Sequence, residues 1–74
     1  MLDNVETAKY VSELLLDING RLNESIERVQ DTCSAEDFLE YRRRVGTLIY
    51  SVFEQILDPI YIKHPGLKPP ELEI

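Results

Sequence analysis

The stretch FLEYRRRVGTLIYSVFEQIL, from Phe38 to Leu57, decides the fold because its apolar residues cover more than one side of a helix. Its apolar positions follow the α-helical repeat of about 3.6 residues. A broad face holds Phe38, Tyr41, Val45, Leu48, Ile49, Val52, Phe53 and Ile56, and a strip beside it holds Leu39, Gly46, Tyr50 and Leu57. Together they span about half of the circumference, which is more than one antiparallel helix occludes. We therefore expect the tail from Pro59 onward, a second copy of the chain or another protein to cover the excess.

A second amphipathic helix precedes this stretch. Asp3 followed by Glu6 has the form of a capping box and predicts a helix over about residues 4–32. Its apolar stripe runs at steps of three and four residues: Ala8, Val11, Leu15, Ile18, Leu22, Ile26, Val29 and Cys33. Asn19-Gly20 is a strong turn dipeptide, yet the stripe keeps its phase across it. One continuous helix is the prediction, and a break giving three helices is the alternative.

The remaining elements are predicted from caps and prolines. Ser34 is a favoured N-cap, which predicts a second helix over about residues 35–57, antiparallel to the first because the connection is short. Asp58-Pro59 predicts a kink, followed by a short helical turn over residues 60–63. We expect a type II turn at residues 64–67, an extended segment at 68–70 and a short tail.

The length of the chain places it among small domains whose single hydrophobic core is marginal and which are often stabilised by a disulfide, a metal or association. Its 74 residues form one domain, 1–74, and the single cysteine excludes a disulfide within the chain. The fold prediction is an all-α, antiparallel two-helix hairpin with a C-terminal appendage over 59–74, dimerising into a four-helix bundle. A homodimer is the expected partner arrangement, and a further protein partner is the other.

Charge and hydropathy exclude two classes of partner. A formal net charge of −6 argues against general nucleic-acid binding, which requires cations. No run approaches the roughly 18 apolar residues of a membrane span. The N-terminal MLDNVETAKY lacks the features of a signal peptide, so a cytoplasmic protein with a reduced thiol is expected.

No constellation for catalysis is evident in the sequence. Cys33 and His64 are the only residues of their kinds, and we interpret Cys33 as a small buried residue and His64 as a surface or tail-packing residue. The carboxylates of the first helix face away from its apolar stripe, which predicts a solvated acidic face and no metal site. That face holds Glu13, Asp17, Glu24, Glu27 and Asp31. No enzyme activity and no cofactor are predicted.

The arginine run Arg42, Arg43 and Arg44 fans out around the helix, so it does not form one patch. Arg42 falls inside the apolar sector. It either pairs with an acid on another helix or covers apolar surface with its methylenes. The predicted dimer or partner face contains Leu39, Arg42, Gly46, Tyr50, Phe53 and Leu57.

These features favour a small adaptor or regulatory protein that acts by protein–protein contact. The alternative is an inhibitor or immunity-type protein whose acidic helix face blocks a basic site on a toxin or a nucleic-acid-binding protein.

Overall fold

The computed structural model describes residues 1–72, and within them the chain is a helical hairpin without strands. Helix α1 is Val5–Thr32 and helix α2 is Ala35–Val52. A π-helical segment, Phe53–Leu57, joins α2 to helix α3, Asp58–Lys63, and 3₁₀ turns follow at Pro65–Leu67 and Pro70–Leu72. The predicted all-α antiparallel hairpin is confirmed. Residues 73 and 74 of the predicted tail lie outside the described residues.

Helix α1 begins one residue later than its sequence suggests. The side-chain oxygen of Asn4 accepts the backbone N–H of Thr7 at 3.0 Å, so Asn4 and not Asp3 is the N-cap. Asp3 instead pairs with Lys63 at 3.2 Å. The helix is continuous through Asn19-Gly20, as the unbroken phase of the apolar stripe predicts.

Two residues form the turn between the helices. Cys33 caps the carbonyl end of α1 through its own backbone N–H, which donates to Val29 O. Ser34 accepts the N–H of Asp37 at 3.1 Å and starts α2 as predicted. This tight connection holds α1 and α2 side by side over the length of α2.

The π segment explains how the chain passes Pro59 without leaving the helix. Proline has no N–H for the carbonyl four residues before it, and its ring crowds that carbonyl. The Asp58 N–H donates to Phe53 O, five residues back, so the turn widens by one residue just before the proline. The backbone stays in the right-handed helical region from α2 into α3.

The widened turn also redirects the side chains that follow it. Tyr61 lies sixteen residues after the buried Val45, so in a regular α-helix it would lie about 160° away from it. One additional residue in the turn brings it back by about 100°, towards α1. The Tyr61 hydroxyl accordingly forms a hydrogen bond of 2.9 Å with Ser12 Oγ on α1.

The hydrophobic core lies at the end of the hairpin where the termini meet. Leu57 and Ile60 are fully buried there against Ala8 and Tyr61. Partly buried apolar side chains surround this cluster: Leu2, Val11, Leu15, Leu16, Val52, Phe53, Ile56, Leu67 and Leu72. The predicted C-terminal appendage therefore supplies part of the core.

The N-terminal residues are tied to the end of α3 here. The ring Nε2 of His64 donates a hydrogen bond of 2.7 Å to the carbonyl oxygen of Leu2. Leu2 has φ 58°, a left-handed conformation that is unusual for a residue with a branched side chain. The His64 contact and the Asp3–Lys63 ion pair hold the N-terminal residues in place beside α3.

The segment after α3 differs from the predicted type II turn. A type II turn needs a positive φ at Gly66, and none of the glycines has one. The N–H of Leu67 donates to His64 O and the N–H of Lys68 donates to Pro65 O, which makes a 3₁₀ turn. Lys68 is extended, as expected, but the predicted extended segment 68–70 is wrong for Pro70, which begins the second 3₁₀ turn.

Candidate protein-interaction surface

An apolar patch lies exposed halfway along the hairpin, and we call it the mid-hairpin patch. It consists of Leu14, Ile18 and Leu48, whose side chains are 42%, 39% and 51% exposed. Leu14 and Ile18 are neighbours on α1 because they are four residues apart. Leu48 belongs to α2.

A hydrogen bond shows that the two helices present these residues on one side. The Ser25 hydroxyl on α1 donates its single hydrogen to Leu22 O. In the 2.7 Å hydrogen bond between Ser25 and Tyr41 on α2, the tyrosine hydroxyl is therefore the donor. Ile18 lies seven residues before Ser25, and Leu48 lies seven residues after Tyr41. Seven residues are close to two helical turns. Because the helices are antiparallel, both steps lead to the same level and the same side of the hairpin.

The side of α1 that faces α2 is unexpectedly polar. Among its most buried residues are Ala8, Ser12 and Asn19, of which only the first is apolar. Ala8, Val11 and Leu15 of the apolar stripe nevertheless belong to the core cluster, and Leu22, Ile26 and Val29 are half-buried, so within the stripe Ile18 stands out at 39% exposure. The prediction that Cys33 is buried is wrong, because the helix ends at Thr32 and Cys33 is exposed at the turn.

Asn19 stands out within this polar seam. It is only 5% exposed, and its side-chain nitrogen and oxygen are both sealed from solvent. Neither atom has a hydrogen-bond partner among the residues that the structure describes. An unsatisfied buried amide costs roughly 1–3 kcal/mol.

Most of the predicted dimer or partner face is exposed on the far side of α2, and we call Leu39, Arg42, Gly46 and Tyr50 the outer strip. Leu39 and Tyr50 are 59% and 68% exposed. Open space lies where a Cβ on Gly46 would be, so another backbone has room to approach there.

The other two members of the predicted face belong to the interior. Leu57 is fully buried, and Phe53 is half-buried against the core cluster. The prediction is wrong for Leu57 because it assumed a regular α-helix, and the π segment turns this residue inward.

The arginine run divides as expected, with one difference. Arg44 pairs with Glu40 at 3.1 Å, four residues earlier. Arg42 is exposed, and within residues 1–72 no carboxylate lies within ion-pair distance of it. The predicted partner for Arg42 is therefore not supplied by the described part of the chain.

The predicted acidic face is exposed along its whole length: Glu13, Asp17, Glu24, Glu27 and Asp31. It is not uniformly negative, because Arg21 and Arg28 interrupt it. Arg21 pairs with Asp17 at 3.2 Å. Arg28 lies four residues after Glu24, but among residues 1–72 the two side chains are not within ion-pair distance.

Cys33 and His64 occupy opposite ends of the hairpin, one at the turn and the other beside the N-terminus. They do not form one site. In the part of the chain that the structure describes, no three His, Cys, Asp or Glu side chains are grouped to hold a metal ion. No helix within residues 1–72 is long and apolar enough to cross a membrane.

The hairpin exposes more surface than a compact chain of its mass. Its accessible area is 5626 Å², whereas a folded monomer of 8.6 kDa exposes about 4,700 Å². Its radius of gyration is 14.6 Å, against about 11 Å for a compact chain of this length. The excess of roughly 900 Å² is close to the ~800 Å² that each partner contributes to a standard protein interface.

Comparison of the chain with protein-family models, with curated proteins and with solved structures finds no match.

Proposed function

We propose that this protein acts by protein–protein contact, without catalysis, and that one of its contacts is with a second copy of itself. The observation that carries the proposal is the excess accessible surface of the hairpin, which is about the size of one side of a standard interface. A chain with so small a core gains stability when this surface is covered.

The role that fits these features is that of an adaptor or regulatory module in the cytoplasm. Cys33 is the single thiol and it is exposed at the turn, which suits a reducing compartment. Isolation of the native protein under thiol-blocking conditions tests this assignment. A free Cys33 supports it, and a native intermolecular disulfide contradicts it.

Self-association is tested by light scattering on a sizing column at tens of micromolar protein. We expect a mass of twice the 8.6 kDa chain. Dilution should shift the mass towards the monomer, because association is a mass-action equilibrium. A monomer at every concentration would remove the second copy as a partner.

Salt distinguishes self-association from capture of a basic protein by the acidic face. Each chain carries a net charge of −6, so two copies repel each other and added salt should strengthen their association. Binding of a basic toxin or nucleic-acid-binding protein should weaken with salt instead. Dimerisation that weakens as salt is added would contradict an interface formed by apolar side chains.

A further inference from the structure

We propose that the second copy docks on the mid-hairpin patch about a two-fold axis, with the two hairpin turns at opposite ends of a four-helix bundle. This inference rests on the proposed self-association and adds its surface and its direction. The surface differs from the outer strip, which stays exposed in such a dimer.

The exposure of apolar side chains at the middle of α1 selects this surface. In a hairpin that worked alone, the apolar residues of α1 would point directly at α2. Here the polar Ser12 and Asn19 are buried, while Leu14 and Ile18 are 42% and 39% exposed. In helical bundles, apolar side chains that one partner helix leaves exposed are covered by a third element.

The position of the patch favours complete overlap of two copies. Ile18 is at the middle of α1, which runs from Val5 to Thr32. Leu48 is near the middle of the helical stretch that begins at Ala35 and ends at Lys63. An axis through the patch therefore lays each hairpin along the full length of the other, which gives the largest contact for a rod of 45 × 23 × 16 Å.

Charge distribution selects the antiparallel direction. The half nearer the turn, residues 19–47, contains five arginines and six carboxylates, a net side-chain charge of −1. The half nearer the termini, residues 1–18 and 48–72, contains three lysines and seven carboxylates, a net charge of −4. With the turns at opposite ends, each acidic half lies beside the other copy's arginine-rich half. With the turns together, the two acidic halves would lie side by side and repel.

The rim of the patch does not oppose a close approach. Arg21, three residues after Ile18, and Arg44, four residues before Leu48, each pair with a carboxylate four residues earlier on the same helix. Both pairs are exposed, so they add little stability of their own. They leave the rim locally neutral although the whole chain is acidic.

Two charged substitutions distinguish the mid-hairpin patch from the outer strip. Ile18→Glu places a carboxylate near the two-fold axis in both copies and should weaken self-association at least ~10-fold, because the charges are desolvated and repel. Leu39→Glu makes the same change of charge on the outer strip and should leave the dimer intact. Sedimentation velocity over a dilution series measures both, with helical content from circular dichroism as the check on folding.

Leu48→Glu places the same charge in the patch from α2. If Ile18→Glu loses helical content, the self-association of Leu48→Glu decides whether the patch is the interface. Dimeric Leu39→Glu with monomeric patch variants supports the inference. A monomeric Leu39→Glu with dimeric patch variants overturns the docking surface and leaves self-association standing. A wild-type chain that is monomeric throughout removes the proposed self-association and this inference with it.

Discussion

Replacing Leu57 with alanine is expected to destabilise the fold by about 2–5 kcal/mol, the range for truncation of a fully buried leucine. Leu57 is 0% exposed and packs with Ala8, Ile60 and Tyr61 where the termini meet. A 74-residue domain has a total stability of only roughly 4–11 kcal/mol. The loss is therefore a large fraction of the whole, and urea denaturation at fixed protein concentration measures it.

Leu39→Ala is the matched control for this prediction. The substitution is the same and the residue also lies in the second half of the hairpin, but its side chain is 59% exposed. We expect a change within about 0.5 kcal/mol. Equal effects at the two positions would show that the π segment does not direct Leu57 into the core.

Replacing Asn19 with leucine is expected to raise the free energy of unfolding by about 1–3 kcal/mol. The side chain is sealed between the helices with both polar atoms unpaired in the described structure, and leucine removes that desolvation cost at similar size. Asn19→Asp should have the opposite sign, because it places a charge where no cation is available. Thermal and urea denaturation of both variants test the sign and the size.

Asn23→Leu is the control that separates the gain in helix propensity from the gain due to removal of the buried amide. Asn23 is an exposed asparagine one turn further along α1, so its replacement reports the propensity gain of a few tenths of a kcal/mol alone. The Asn19→Leu gain should exceed it clearly. A loss of stability at Asn19 relative to Asn23 would mean that the amide is satisfied in solution and that its polarity supports the fold.

The hairpin follows from sequence because its signals are local. The apolar stripe keeps its helical phase across Asn19-Gly20, and Ser34 marks the start of α2 with a side-chain oxygen. Both features depend on residues within one or two turns of each other. The N-cap is harder, since Asp3 and Asn4 are both good caps and only the pairing of Asp3 with Lys63, far along the chain, separates them.

The candidate surface is predictable only in part. A regular wheel places Leu39, Gly46 and Tyr50 on the outside, where they are found. It fails for Leu57, because a π turn shifts the phase of every later side chain and leaves no distinct mark beyond Pro59. A helical wheel also predicts the apolar stripe of α1, but it does not predict on which side of α1 the helix α2 lies.

That direction is set by polar contacts between distant residues. The Ser12–Tyr61 and Ser25–Tyr41 hydrogen bonds fix how α1 is rotated against the rest of the chain. Serines at these positions look like ordinary solvent-facing residues in the sequence. Ile18 and Leu48 lie on the predicted apolar faces of their helices, and both are exposed in the hairpin.

The arrangement of the dimer is tested most directly by the distance between spin labels on Cys33, measured by pulsed electron spin resonance. Cys33 is the only cysteine and is exposed at the turn, fifteen residues or about 22 Å from Ile18 along the helix. A two-fold axis through the mid-hairpin patch predicts a label separation of about 45 Å. A separation below about 25 Å would contradict the antiparallel dimer, because packed helices lie only about 10 Å apart and the two turns would then lie together. The absence of any dipolar coupling at concentrations where the chain is dimeric would contradict it as well.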